Sequence, residues 1–167
     1  MFEKEIYVDR RSKLKNNISH GVGLFLGNVD ASMNYLSNTY QFRQDSSFLY
    51  FFGLDFPGLA AAIDFETGEE IIFGDDVDID DIIWMGPQIP IREYAMKAGV
   101  NQTAASVKLA DYLKKVIKQG RKVHFLPPYR GENQVRLQEL LDISKGNISD
   151  YVSVDLIKAI VDLRSGN

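Results

Sequence analysis

The 167-residue chain has no cysteine. Disulfides, a thiolate nucleophile, Cys-ligated zinc and iron–sulfur clusters are therefore excluded. Histidine is nearly absent as well: His20 and His124 stand 104 positions apart, so there is no His-rich metal site and no HExxH helix. Positive charge is not in excess. Lys and Arg total 19 against 23 Asp and Glu, a net charge of -4, which argues against nucleic acid as a partner. No apolar run approaches the ~20 residues of a membrane helix. The first residues, MFEKEIYVDRR, are too charged for a signal peptide. The sequons at Asn17, Asn101 and Asn147 are accordingly expected to be chance, and the protein cytoplasmic.

What remains is an ordinary globular composition, 45% hydrophobic and 25% charged. The length predicts one domain spanning residues 1–167, on the usual scale of ~150 residues per domain.

Residues 2–17 read as a mostly exposed helix with apolar points at Phe2, Ile6 and Leu14, and Ile18 just beyond it. Val22 to Leu26, bounded by Gly21 and Gly27, reads as a buried strand. The polar stretch 28–46 predicts a long loop. Aromatic content predicts a strand over 48–53. Residues 59–64 and 70–73 predict a hairpin. Residues 91–97 predict a short helix. The stripe Ala105, Leu109, Tyr112, Leu113 and Val116 predicts a helix over 103–119, stopped by Gly120. A short strand follows at 122–126, then a helix from Glu132 to about Ser144. A last helix is capped by Ser153, with Asp155 in its first turn. Strands first and helix–strand alternation later predict an α/β or α+β domain with a mixed sheet.

Tests for known chemistry fail in turn. Gly21, Gly23 and Gly27 do not make a GxGxxG turn, because Leu26 occupies the third glycine position. There is no GxxxxGK[ST] and no GxSxG. Asp76, Asp78 and Asp80 have the 1-3-5 spacing of an EF-hand loop. Asp81 and Pro87 then fall where that loop needs Gly and Glu. The run from Asp75 to Asp81 therefore reads as a solvated acidic segment, and a metal-dependent hydrolase centred on it is a minor alternative. Seven of the nineteen aromatics lie between Tyr40 and Phe56. With one Arg offset by one Asp, core packing suits them better than a stacking platform for single strands. Arg43 and Asp45 are expected to form a buried or half-buried ionic network that pins the loop.

The stretch NTYQFRQDSSFLYFFGLDFPG, residues 38–58, resembles the Tyr-x-Phe/Tyr-Arg-Gln-Asp/Asn-Ser-x-Phe-x-Tyr-x-x-Gly-x-x-x-Pro signature of the aminopeptidase P (Xaa-Pro aminopeptidase) N-terminal domain. Arg10-Arg11 with Leu14 is similar to that family's opening helix. Asp80 to Gly86 is similar to its acidic-x-Trp-x-Gly turn, and Asp155 to Ser165 to its exit helix. The resemblance spans nearly the whole chain. It implies a creatinase/prolidase N-terminal fold: α/β, a mixed six-stranded sheet flanked by helices, of ribonuclease-H-like topology without nuclease chemistry. It also implies a partner, a C-terminal pita-bread catalytic domain holding two manganese ions. That domain removes the N-terminal residue of peptides whose second residue is proline, and none of it lies within these residues.

No catalytic or metal-binding residue is therefore expected in this chain. In the family the N-terminal domain builds homo-oligomer contacts and closes part of the active-site mouth. The resemblance puts Trp84 at that rim, together with the segment carrying Ser37 and Asn38. Ser37 departs from relatives that are acidic there, which weakens a charged substrate contact. Arg43, Gln44, Asp45 and Ser46 are the structural motif. No membrane and no nucleic-acid partner is expected. A free-standing interaction module of the same fold is the alternative, and the coding sequence beyond Asn167 discriminates between the two.

Overall fold

A computed structural model describes residues 1–29, 42–76, 89–126, 131–141 and 154–165. Its elements in chain order are α1 (Lys4–Asn17), β1 (Val22–Leu26), α2 (Ser46–Phe52), β2 (Ala60–Asp64), β3 (Glu70–Phe73), α3 (Ile91–Lys97), β4 (Gln102–Ala104), α4 (Lys108–Lys118), β5 (Val123–His124), α5 (Gly131–Leu141) and α6 (Val154–Ser165). Among the described residues the sheet has five strands in the order β4-β3-β2-β1-β5. β2 runs antiparallel to β1 and to β3, while β5 joins β1 and β4 joins β3 in parallel. The predicted mixed α/β sheet is present, with five strands in place of the expected six.

Side-chain alternation along the strands divides the core into two layers. Val22 and Leu24 of β1 and Ala60 and Ala62 of β2 pack with Leu109, Leu113 and Val116 of α4 and Leu137 of α5. Phe25, Ala61, Ile63 and Ile72 face the opposite way, against Leu14 of α1, Phe48, Phe51 and Phe52 of α2, Ala95 of α3, and Leu156 and Ile160 of α6. Every residue of β2 is buried. Covering on both faces is why the strand reads Ala-Ala-Ala-Ile without polar alternation.

Two expected elements change. Residues 46–52 are helical, not a strand. Asp45 accepts the Phe48 backbone N–H as N-cap, and Gly53 ends the helix with a φ of 68°. The buried rings Phe48, Phe51 and Phe52 fall at helical i, i+3, i+4 spacing. Caps and periodicity thus override the strand preference of aromatic residues. The expected helix over 103–119 begins only at Lys108, because Gln102–Ala104 pair in parallel with Ile71–Phe73.

α1 is mostly exposed, as its polarity predicts, but its buried face is Tyr7, Arg11 and Leu14, while Phe2 and Ile6 are exposed. This helix lies across the ends of α2 and α3. A Cβ on Gly53 would meet the Tyr7 ring at 2.2 Å, and one on Gly99 would meet Val8 at 2.3 Å. Both glycines also hold positive φ, so both positions require glycine twice over. Between them the fully buried Arg11 donates to Phe51 O and Ala98 O, each at 2.7 Å, and to Glu70 Oε2 at 2.8 Å. The hairpin at 60–73, the helix at 91–97 and the last helix stand as predicted. Ser153, expected to cap that last helix, lies outside the described residues.

Candidate functional site

The Arg43–Ser46 block sits where β1 ends and α2 begins. Gln44 is buried and uses all four of its hydrogen-bonding positions. Its Oε1 accepts from the backbone N–H of Asn28 at 2.8 Å and of Asp45 at 3.1 Å. Its Nε2 donates to Leu54 O at 2.9 Å and Phe56 O at 3.1 Å. One side chain thus ties the end of β1 to the entrance and exit of α2. Asn28 closes the same junction, since its Nδ2 donates to Arg43 O at 2.9 Å. Asn133 of α5 adds a third element by donating to Asn28 Oδ1 at 3.0 Å. In sequence, Asn28 and Arg43 bracket the segment carrying Ser37 and Asn38, and their bond brings its two stems together.

Arg43 and Asp45 form no ion pair. Arg43 is exposed, and Asp45 caps α2 through the Phe48 N–H at 2.9 Å. The expected ionic network is therefore replaced by an amide network centred on Gln44. An amide supplies donors and acceptors together without the desolvation cost of a buried charge. Burial raises the Asp45 carboxyl above its ordinary value, against the backbone N–H groups of Phe48 and Ser47 and the charge of Arg164. Arg136 is pushed below its ordinary value by burial alone, and its Nη1 reaches Gly27 O at 3.5 Å. Ser46 is the exposed first residue of α2.

Trp84, Ser37 and Asn38 lie outside the described residues, as do Asp78, Asp80 and Asp81. The two described members of the acidic run act as backbone anchors. Asp75 accepts from both the N–H and hydroxyl of Ser106, which lowers its carboxyl below the usual range. Asp76 accepts from Ile91 N at 2.7 Å, at the start of α3. Among the described residues no group of three or more His, Cys, Asp and Glu side chains could hold a metal ion. Nor is any described helix long and apolar enough to cross a membrane.

Sequence reasoning passed over Asn28 and Asn133, and it read Arg11 only as part of the opening helix, without its buried role. Asn28 follows the glycine that closes β1, a weak turn signal. Its link to Asn133 joins residues 105 positions apart, which no local pattern announces.

Comparison with curated proteins finds no match. Solved structures of Escherichia coli aminopeptidase P share the fold. The low-pH form superposes with a TM-score of 0.71 at 19% identity, over 92% of this chain and 36% of that one. A variant in complex with substrate gives 0.69 at 19% identity, over 91% and 36%. The enzyme with the inhibitor Pro-Leu gives 0.69 at 19% identity, over 91% and 35%. The chain thus spans about a third of the length of the structures it matches. The family description "Aminopeptidase P, N-terminal domain" covers residues 7–125, from Tyr7 of α1 to the residue after β5. The chain belongs to the aminopeptidase P N-terminal domain family.

Proposed function

We propose that this chain is the non-catalytic N-terminal domain of a proline-specific metalloaminopeptidase of the cytoplasm. The parent removes the N-terminal residue from peptides with proline in second place. Its catalytic domain holds two manganese ions, and the residues described here do not form that centre. This domain supplies oligomer contacts and part of the rim of the active-site mouth, with Trp84, Ser37 and Asn38 on that rim.

The observation that carries this reading is the clamp at Gln44. The most distinctive motif of the chain spends its hydrogen bonds fixing backbone, not activating a nucleophile or a proton. It holds together the stems on either side of the Ser37–Asn38 segment, as positioning that segment at a rim requires. A rigid base is what a binding segment needs from its scaffold.

Two measurements test the proposal. Incubated with manganese and an Xaa-Pro peptide, the isolated chain should show no turnover, and turnover refutes the non-catalytic assignment. In the parent, Trp84→Ala should change KM or peptide-length preference while leaving Tm nearly unmoved. Unchanged kinetics remove Trp84 from the rim.

A further inference from the structure

The carboxyl end of β1, which runs parallel to β5, meets the first turns of α5. In α/β sheets this is the end at which ligands bind. Two side chains of α5 lack a partner there. Asn133 is only 6% exposed, and its Nδ2 donates to Asn28 Oδ1 at 3.0 Å. Its own Oδ1 is buried and accepts no hydrogen bond. The amide cannot turn over to hide that oxygen, because Asn28 presents an acceptor to it. The Nδ2 of Asn28 is already spent on Arg43 O at 2.9 Å.

Three residues on, Arg136 is half-buried and forms no ion pair among the described residues. Its contact with Gly27 O is long, at 3.5 Å. No described carboxylate moves its pKa, which burial alone displaces. A cation held partly out of water without a counter-charge is a cost to the fold.

Side chains three apart on a helix stand about 5–6 Å apart at Cβ, so one ligand can meet both needs. It must bring an anion to Arg136 and, close beside it, an N–H to Asn133. A bound water satisfies the oxygen but leaves the cation uncompensated. An acetate ion does the reverse. The last residue of a peptide carries both groups on one Cα, a carboxylate and an amide N–H. We infer that Asn133 and Arg136 form a subsite for the C-terminal residue of a peptide, with its carboxylate on the Arg136 guanidinium and its N–H on Asn133 Oδ1. The subsite adjoins the Asn28–Arg43 bond that joins the stems of the Ser37–Asn38 segment. It deepens the rim reading and rests on it for a peptide as the occupant. Binding to the isolated chain tests the subsite, and the parent's kinetics test the rim, so either can fail alone.

The test uses the intact chain, isotope-labelled, with acetyl-prolyl-glycine as the probe. The probe should shift the amide signals of Gly27, Asn28, Asn133 and Arg136. Its C-terminal carboxamide, which has no charge, should bind at least about tenfold more weakly. So should acetyl-prolyl-sarcosine, whose last nitrogen bears no hydrogen. Arg136→Gln should weaken binding at least about tenfold without lowering Tm, since it removes a cation that the fold leaves unpaired. Should that variant fail to fold, the three probes on the unaltered chain decide. Absence of shifts at about 10 mM probe, equal binding by the carboxamide, or unchanged binding in a folded Arg136→Gln overturns the subsite. Equal binding by the sarcosine form, or by acetate, overturns the peptide end as its occupant.

Discussion

Replacing Arg11 tests the energetics of the fold most sharply. Its guanidinium is wholly inside the protein and donates to three different elements. Two acceptors, Phe51 O and Ala98 O, are carbonyls at the ends of α2 and α3 that have no partner within their helices. The negative ends of two helix dipoles therefore converge on one cation. In Arg11→Met the methionine fills much of the space but leaves both carbonyls buried without a donor, at about 1–3 kcal/mol each. Glu70 is protected, because Lys15 also reaches its Oε2 at 3.0 Å. The sum, about 2–6 kcal/mol, brackets the about 3–5 kcal/mol lost on breaking a buried ion pair by removing one partner. It is a large share of the ~5–15 kcal/mol by which a domain is stable. Urea unfolding should show a lower midpoint at unchanged slope. Arg11→Lys should recover less than half of the loss, since one ammonium cannot span acceptors on three elements. A loss below about 1 kcal/mol in Arg11→Met, or full recovery in Arg11→Lys, would mean that the three bonds do not carry the junction of α1.

The Gln44 clamp makes a second prediction. Gln44→Glu keeps the shape but sets a carboxylate against Leu54 O and Phe56 O, so it should cost about 2–4 kcal/mol at neutral pH. That loss should shrink in acid as the new carboxyl regains a proton to donate; a pH-independent loss refutes it. Asp45→Asn is expected to act the other way. The raised carboxyl of Asp45 means that the folded state holds its proton more tightly than the unfolded chain, so ionisation lowers stability. Asn caps a helix as well as Asp does. Thermal unfolding should therefore show a small gain at pH 7 that fades as the pH falls through the raised folded value and is gone below the ordinary carboxylate value, about 4. A gain that persists in acid contradicts the cause given. Asp64 and Asp75 titrate in the opposite sense. Burial pushes Asp64 up, but the Arg121 hydrogen bond and charge and the backbone N–H groups of Glu66 and Thr67 carry it below its usual value. Ser106 holds Asp75 down. Both stabilise the fold above the unfolded value and lose that contribution as pH falls through the lower folded ones. The Asp64→Asn, Asp75→Asn double variant should thus show a shallower loss of Tm on acidification than the parent chain, and an identical slope refutes the assignment.

The outer elements were legible because local chemistry decided them. The hairpin at 60–73 followed from turn residues on either side of two apolar runs, and α4 from its stripe of Leu109, Leu113 and Val116. Where two local signals compete, the sequence alone does not decide between them. Phe48 to Phe52 carries both the aromatic content of a strand and the caps and spacing of a helix. The caps prevail because Asp45 and Gly53 satisfy backbone groups that a strand there would have to pair elsewhere. The start of α4 at Lys108 differs from the expected 103 for another reason. Gln102–Ala104 become a strand only because β3 offers them a parallel edge, and no local sequence signal carries that.

The site shows the same division more sharply. The motif Arg43-Gln44-Asp45-Ser46 was recognisable, but the charges drew the expectation to Arg43 and Asp45, and the uncharged Gln44 proved to be the buried centre. Physically this is the order to expect. A charge is costly to bury and is more easily kept at the surface or at a cap, as Arg43 and Asp45 are. A primary amide can be buried whole if its two donors and its acceptor oxygen find partners, and Gln44 finds four. Arg11 is the exception that tests the rule. It is buried because two helix ends and a carboxylate meet at one point, so that charge, dipoles and hydrogen bonds all favour the cation. Neither role shows in a single sequence, since apart from Asp45 the partners lie 10 to 87 positions away. A family signature can therefore identify the domain while leaving its mechanical parts unnamed. In this chain those parts are Gln44, which clamps the stems flanking residues 30–41, and Arg11, which fixes α1 across α2 and α3.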